Sequence, residues 1–149
     1  MREILITLGT AMVPVLELRA AIPLGVRLGL SPLMSLLVSV VGNMIPVPFI
    51  ILLIRRVFAL LRRVPWFEKL VIRIEERAHI KGELVQKSRV PGLILLVAVP
   101  LPGTGAWTGA LVAALLEIRM RNALPAILLG VLIAGGIVLA LTCGVTALL

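Results

Sequence analysis

The stretch MVPVLELRAAIPLG, residues 12–25, places Glu17 and Arg19 inside an otherwise apolar part of the chain. Prolines stand on either side of the charged pair, at Pro14 and Pro23. What a carboxylate and a guanidinium do at this point depends on the solvent that surrounds them. The composition of the whole chain identifies that solvent.

The composition is that of a polytopic membrane protein. Of the 149 residues, 60% are hydrophobic and 15% are charged, whereas soluble domains are about 45–50% apolar and about 25% charged. Residues 28–54, 90–116 and 122–149 carry no charge, and about 20 apolar residues cross a bilayer core. The chain contains no phosphate-binding glycine loop, zinc-protease motif or nucleophile elbow. We therefore expect neither enzymatic activity nor a cofactor or metal.

Two other apolar pieces are too short to span a bilayer. As helices, residues 4–16 and 90–101 would each cover about 20 Å, against a hydrocarbon core of about 30 Å. The first ends at Pro14 and a Glu-Leu-Arg turn with Pro23, the second ends at PLPGTG, residues 100–105, and a short apolar arm follows each. This pattern predicts re-entrant hairpins, whose irregular backbone needs protein or water around it. One long kinked helix through each break is the alternative.

An internal repeat supports the hairpins. VPV at 13–15 matches VPL at 99–101, and a Pro and a Gly ten residues apart recur in the two longer apolar stretches. The predicted fold class is an all-α integral membrane protein, an inverted repeat of re-entrant hairpin plus transmembrane helix. It forms one membrane domain, 1–149, made of re-entrant hairpin 1 (1–27), transmembrane helix 1 (28–63), an interfacial amphipathic helix (64–88), re-entrant hairpin 2 (89–118) and transmembrane helix 2 (119–149).

Basic residues are concentrated between the two halves. Residues 55–121 hold twelve Lys or Arg against five Glu, while residues 1–27 have a net charge of +1. Because basic loops stay cytoplasmic, we place this central segment inside the cell, apart from the second hairpin, in the plasma membrane of a prokaryote. In residues 64–88 a basic row flanks an apolar face, which is typical of a helix lying on anionic lipid headgroups. A helix packed on the protein itself is the alternative, and no nucleic-acid partner is expected.

The motifs ELRAAIPLG, residues 17–25, and PLPGTGAWTGA, residues 100–110, resemble the family named putative small multidrug export proteins. That family is similar to the DedA/VTT membrane proteins. The resemblance covers nearly the whole chain and implies opposed re-entrant hairpins, oligomers, and ion-coupled transport of polyprenyl phosphates or other lipids. It also implies functional acidic and arginine residues in the hairpins. Glu17 and Arg19 match that description, whereas the tip of the second hairpin carries no charge.

The candidate site joins the charged pair to the second hairpin. Ionisable residues inside a membrane are functional candidates. Arg19 keeps its charge and its planar fork suits a phosphate or carboxylate, while burial favours a protonated Glu17, to which we assign proton coupling. A purely structural ion pair between the two is the alternative. The predicted substrate-binding residues are Glu17, Arg19, Pro23, Asn43, Pro102, Gly103, Thr104, Gly105, Trp107 and Thr108.

The predicted function is a small membrane transporter of an amphiphilic anionic substrate, such as a lipid or polyprenyl phosphate, with proton or sodium coupling. Proton-coupled export of lipophilic drugs, which the family name suggests, is one alternative. A non-transporting membrane scaffold or assembly factor is another. We expect a homodimer, because two spans and two hairpins bury little surface alone and two Gly-x-x-x-Gly spacings, at 25–29 and 105–109, permit close helix approach.

Overall fold

The structure is a computed structural model that describes residues 1–61, 89–101 and 103–148, together with positions 69, 72, 73 and 76. Within these residues all regular secondary structure is α-helical, which confirms the predicted all-α class. The helices are α1 (Arg2–Met12), α2 (Glu17–Arg27), α3 (Pro32–Met44), α4 (Pro46–Leu61), α5 (Arg89–Ala98), α6 (Ala106–Leu115) and α7 (Met120–Leu148).

Two apolar segments are long enough to cross a membrane. They are Pro32–Ile54, with 23 residues and a mean hydropathy of 2.4, and Met120–Gly144, with 25 residues and a mean hydropathy of 2.6. At 1.5 Å per residue each exceeds the core thickness of about 30 Å. Large apolar side chains on both segments are exposed, among them Phe49 and Leu141. Such a surface suits lipid rather than water and supports the prediction of a membrane protein.

The first long segment is broken at Ile45, between α3 and α4. Pro46 and Pro48 have no N–H, so the carbonyls of Gly42 and Met44, four residues earlier, lack their usual helical donors. The break therefore lies directly before the first of these prolines.

A second break separates α1 from α2 at residues 13–16. Val15 and Glu17 have φ angles of 80° and 47°, in the left-handed region that non-glycine residues rarely adopt. We expected Pro23 to help turn the chain back, and this is wrong, because α2 continues through Pro23 to Arg27. A proline at the seventh helical position removes a single hydrogen bond, to the Arg19 carbonyl, and the helix tolerates this loss.

The short helices of the two halves of the chain pack between the helices of the two long apolar segments. α1 packs against α2 and α3, α5 packs against α7, α6 packs against α4, and α2 also contacts α7. Glycines permit the closest approaches: a Cβ at Gly42 would lie 2.7 Å from the Leu8 carbonyl oxygen, and one at Gly130 would lie 2.5 Å from Cβ of Val97. This interleaving brings the α1–α2 break beside the break that separates α5 from α6.

The interfacial helix predicted for residues 64–88 lies outside the described residues, apart from positions 69, 72, 73 and 76. Pro102, a predicted substrate-binding residue, also lies outside them. The boundaries of the five predicted parts of the membrane domain stay predictions.

Candidate functional site

Glu17 is the residue around which the candidate site is built. It begins α2, its side chain is only 5% exposed, and its Oε1 accepts a hydrogen bond of 3.2 Å from the backbone N–H of Trp107. Trp107 is the second residue of α6. The carboxylate therefore occupies a helix N-terminus, where unpaired N–H groups and the helix dipole favour a negative charge. This placement offsets part of the cost of burying the charged group.

Gly105, the N-cap of α6, makes room for this carboxylate. Its φ angle is 148°, and a Cβ built on it would overlap the carboxyl group of Glu17. Any side chain at this position would therefore meet both backbone strain and a steric clash. The prediction that Gly105 belongs to the site gains a physical reason here, since the residue permits the contact instead of binding by itself.

Arg19, two residues further along α2, contacts the same break. Its Nη2 donates to the carbonyl oxygen of Thr104 and, at 3.0 Å, to Oγ1 of Thr104. That hydroxyl also lies 2.6 Å from the Val99 carbonyl oxygen and 2.8 Å from the Leu101 carbonyl oxygen, and its single proton serves one of them at a time. Arg19 thus binds a turn that Thr104 already organises.

Glu17 and Arg19 do not form an ion pair with each other. The N-terminal amine and Glu3, by contrast, do form an ion pair, at 3.1 Å. Each of the two charged groups instead contacts a backbone group at or directly after the α5–α6 break. A direct structural pair, the alternative considered from the sequence, is therefore not the arrangement in the structure.

Trp107 forms a third link between the two breaks. Its indole Nε1 donates a hydrogen bond of 3.2 Å to the carbonyl oxygen of Met12. Met12 ends α1, so this carbonyl is one of those that receive no helical donor. Sequence reasoning predicted Trp107 but missed Met12, because a backbone carbonyl leaves no signature in residue identity.

The remaining predicted residues lie in three different places. Thr108 lies at the α5–α6 break, where its hydroxyl donates to the Gly103 carbonyl oxygen at 3.0 Å. Pro23 is partly buried in the middle of α2. Asn43 is fully buried in α3, and neither its Oδ1 nor its Nδ2 has a hydrogen-bond partner.

Ser39 is a polar residue that sequence reasoning missed. It is fully buried and its Oγ also lacks a partner. The spacing of Ser35, Ser39 and Asn43, four residues apart each time, was the available signal, because it places the three on one helix face.

The described residues contain no group of three or more His, Cys, Asp or Glu that could hold a metal ion. What the site offers is a buried carboxylate, a half-buried guanidinium and a helix N-terminus that the carboxylate occupies. Such a set can exchange a proton and bind an anion.

A family model described as putative small multi-drug export protein matches residues 17–137. The match begins at Glu17, directly after the first break, and includes the second break. No curated protein and no solved structure matches the chain. Because the match extends over most of the 149 residues, the chain belongs to the putative small multi-drug export protein family.

Proposed function

We propose that the chain is a membrane transporter whose two short helix pairs, α1–α2 and α5–α6, are re-entrant hairpins related as inverted repeats. Their helices have 11, 11, 10 and 10 residues, so each covers about 15 Å, or half of a bilayer core. The interleaved packing supports the repeat, because α2 contacts the long helix α7 and α6 contacts α4. An architecture of this type also supports our proposal of a relation to the DedA/VTT proteins.

The substrate we propose is an amphiphilic anion, such as a lipid or polyprenyl phosphate. The observation that carries this proposal is the Glu17 carboxylate bound at the N-terminus of α6, 3.2 Å from the Trp107 amide nitrogen. The helix end thus already holds an anion, one that belongs to the protein itself. A phosphate has the same charge preference and more acceptor oxygens, and Arg19 lies beside the position as a donor with a planar fork.

Transport is coupled to an ion gradient because the Glu17 carboxylate and the substrate anion compete for the N-terminus of α6. When Glu17 takes up a proton, its oxygen loses the charge that strengthens the bond to the Trp107 amide. The substrate anion then replaces it, with Arg19 shifting from the Thr104 carbonyl to the substrate. Because the breaks are held together by these same contacts, exchange of the anion loosens one hairpin from the other. The scheme couples transport to a proton or sodium gradient.

The cellular setting is part of the proposal. We place the protein in the plasma membrane of a prokaryote, as a homodimer with its central basic segment on the cytoplasmic side and in contact with anionic headgroups. Lipid molecules would then reach the site laterally from the bilayer, past the exposed apolar side chains of α3, α4 and α7. No enzymatic step is needed for this function.

Export of lipophilic cations in exchange for protons is the second candidate. The family description favours it, and so does the contact of Arg19 with Thr104, which leaves Glu17 without a directly paired cation. A buried carboxylate in that state can attract a cationic drug. A scaffold without transport activity is the third candidate, and it requires that both charges tolerate replacement.

The test compares purified variants in liposomes. The wild type, Glu17→Gln, Arg19→Lys and the control Arg27→Lys, an exposed residue at the end of α2, are assayed with a fluorescent phosphatidate and with a cationic dye, with and without a pH gradient. We expect phosphatidate translocation to fall about tenfold in Arg19→Lys, as for the loss of one charged hydrogen bond. In Glu17→Gln the dependence on the pH gradient should disappear, and Arg27→Lys should match the wild type.

Other results identify the other candidates. Efflux of the cationic dye that depends on Glu17 but not on Arg19 selects drug export. Unchanged behaviour of both variants, in protein that is folded and monodisperse, rejects transport through this site and leaves the scaffold.

A further inference from the structure

Three buried polar atoms on α3 have no partner. They are Oδ1 and Nδ2 of Asn43 and Oγ of Ser39, and both residues are fully buried. Residues four apart lie on the same face of a helix, so the three atoms belong to one face of α3. Polar groups without partners are strongly unfavourable in apolar surroundings, and in native proteins such groups usually bind ordered water.

Asn43 lies near the C-terminal end of α3, which packs against the end of α1 that leads into the α1–α2 break. A Cβ on its neighbour Gly42 would lie 2.9 Å from Cβ of Ala11. Ala11 precedes Met12, whose carbonyl accepts the indole hydrogen bond described above. The same tryptophan donates its backbone N–H to Glu17. These contacts place the C-terminal end of α3 beside the end of α1, which Trp107 connects to Glu17.

The chemistry of the three atoms selects the occupant. Oδ1 accepts hydrogen bonds, Nδ2 donates them and a hydroxyl does both, so water satisfies the whole set. A sodium ion would bind the two oxygens only and would face the amide N–H groups. It would also be buried without a carboxylate bonded to either residue, and an uncompensated buried charge is costly.

We propose that Ser39 and Asn43 bind ordered water inside the protein, and that this water passes protons to and from Glu17. The water site stands on the unpartnered atoms alone, while its proton-carrying role rests on the proposed function. If the role holds, the coupling ion is the proton and not sodium. Nearby Ser35 provides a matched control, because its buried hydroxyl already donates to the Ile22 carbonyl oxygen at 2.8 Å.

The first experiment detects the water directly. The chain has two asparagines, Asn43 and Asn122, so protein made with isotope-labelled asparagine in lipid nanodiscs gives two side-chain amide signals in nuclear magnetic resonance spectra. Asn122 is exposed and serves as the internal reference for contact with water. Magnetisation transfer from water to each amide is then measured in the wild type, in Ser39→Ala and in Ser35→Ala.

We expect transfer to the Asn43 amide in the wild type, its loss or severe reduction in Ser39→Ala, and wild-type transfer in Ser35→Ala. Absence of magnetisation transfer from water to the Asn43 amide in the wild type overturns the water site. A shift of the Asn43 signal that requires sodium, with loss of the water transfer, also overturns it and assigns the site to the cation. Asn43→Leu, which has a similar shape, identifies the signal.

The second experiment tests the proton-carrying role. Infrared difference spectra after a pH jump follow protonation of Glu17, whose band is identified with Glu17→Gln. We expect protonation to slow by about tenfold in Ser39→Ala, as for one lost hydrogen bond along the route, and to keep its wild-type rate in Ser35→Ala. An unchanged rate in Ser39→Ala, with the water present in the wild type, makes that water structural and overturns the role. A Glu17 that never titrates refutes proton coupling in the proposed function, while the resonance result still decides the water site.

Discussion

The two breaks, 13–16 with Glu17 and 99–105, each separate two short helices, but they do so with different residues. In the first, Val15 and Glu17 adopt positive φ angles, whereas in the second these positions belong to Gly103 and Gly105. Left-handed backbone is costly for residues other than glycine and persists where the surrounding contacts impose it. At Glu17 those contacts are visible, because its carboxylate is fixed at the start of α6. The difference teaches that the first break keeps a left-handed residue other than glycine at position 17, where the carboxylate is needed for the contact with α6, while Val15 has no such reason.

The two breaks also differ in the kind of polarity that they contribute. The first supplies full charges, on Glu17 and Arg19, and the second supplies an amide and the carbonyl of Thr104. A helix N-terminus carries about half a positive charge, so Glu17 faces a favourable potential, and the guanidinium faces the negative end of a carbonyl dipole. The second break therefore needs no ionised residue to complement the first. This explains why its tip is uncharged.

Replacing Gly105 should have the largest effect on stability, because a side chain at the second break would disrupt the contact between Glu17 and the start of α6. In Gly105→Ala the new Cβ overlaps the carboxylate of Glu17 and the backbone stays at a φ of 148°. Displacing a buried carboxylate and straining the backbone together should lower the free energy of unfolding by about 2–4 kcal/mol. Denaturant unfolding in detergent, followed by circular dichroism, measures the loss.

Gly136→Ala is the matched control for this prediction. Gly136 lies inside α7, and a Cβ there would meet no atom within 4 Å. Alanine is the better helix former, so stability should rise by about 0.5–1 kcal/mol. Equal losses in the two variants would mean that membrane helices resist any added methyl group and that the contact with Glu17 is not the cause.

Particular residues explain how far the sequence predicts this site. Pro14 and the Pro-Leu-Pro-Gly run of 100–103 indicate where the chain breaks, since their covalent structure limits the backbone directly. The bond between Glu17 and Trp107 joins residues 90 apart, and its register depends on helix packing that single-residue preferences do not encode. Pro23 was misread because the sequence does not show whether a helix can tolerate the one backbone hydrogen bond that a proline removes.

Replacing the Arg19 side chain should have the next largest effect on the free energy of unfolding. In Arg19→Ala the Thr104 carbonyl and hydroxyl lose a charged donor, which should cost about 1.5–3 kcal/mol. Arg19→Lys should recover part of this loss, because the ammonium group keeps the positive charge and can still donate to these oxygens, but it lacks the planar guanidinium that fixes the direction of the donors. Unfolding in detergent measures both variants.

A double-mutant cycle with Thr104→Val separates the hydroxyl from the carbonyl in this contact. Valine keeps the backbone carbonyl and removes Oγ1, so the coupling energy with Arg19→Ala should be about 0.5–1 kcal/mol. Strictly additive losses would show that Arg19 stabilises the second break through the carbonyl alone.

The smallest expected effect on stability comes from Val15→Gly, which gives the first break a glycine at a left-handed position, as in the second break. Val15 is β-branched, 85% exposed and held at a φ of 80°, and it has none of the contacts that justify the strain at Glu17. Val15→Gly removes a left-handed penalty of about 1–2 kcal/mol and adds chain entropy worth about 0.5–1 kcal/mol to the unfolded state, so stability should rise by about 0.5–1 kcal/mol. Unfolding of this variant beside Val13→Gly, whose φ is −74°, is the measurement, and Val13→Gly should be neutral or destabilising. If Val15→Gly destabilised the protein as much as that control, the positive φ at Val15 would store no strain, and the contrast between the two breaks would rest on Glu17 alone.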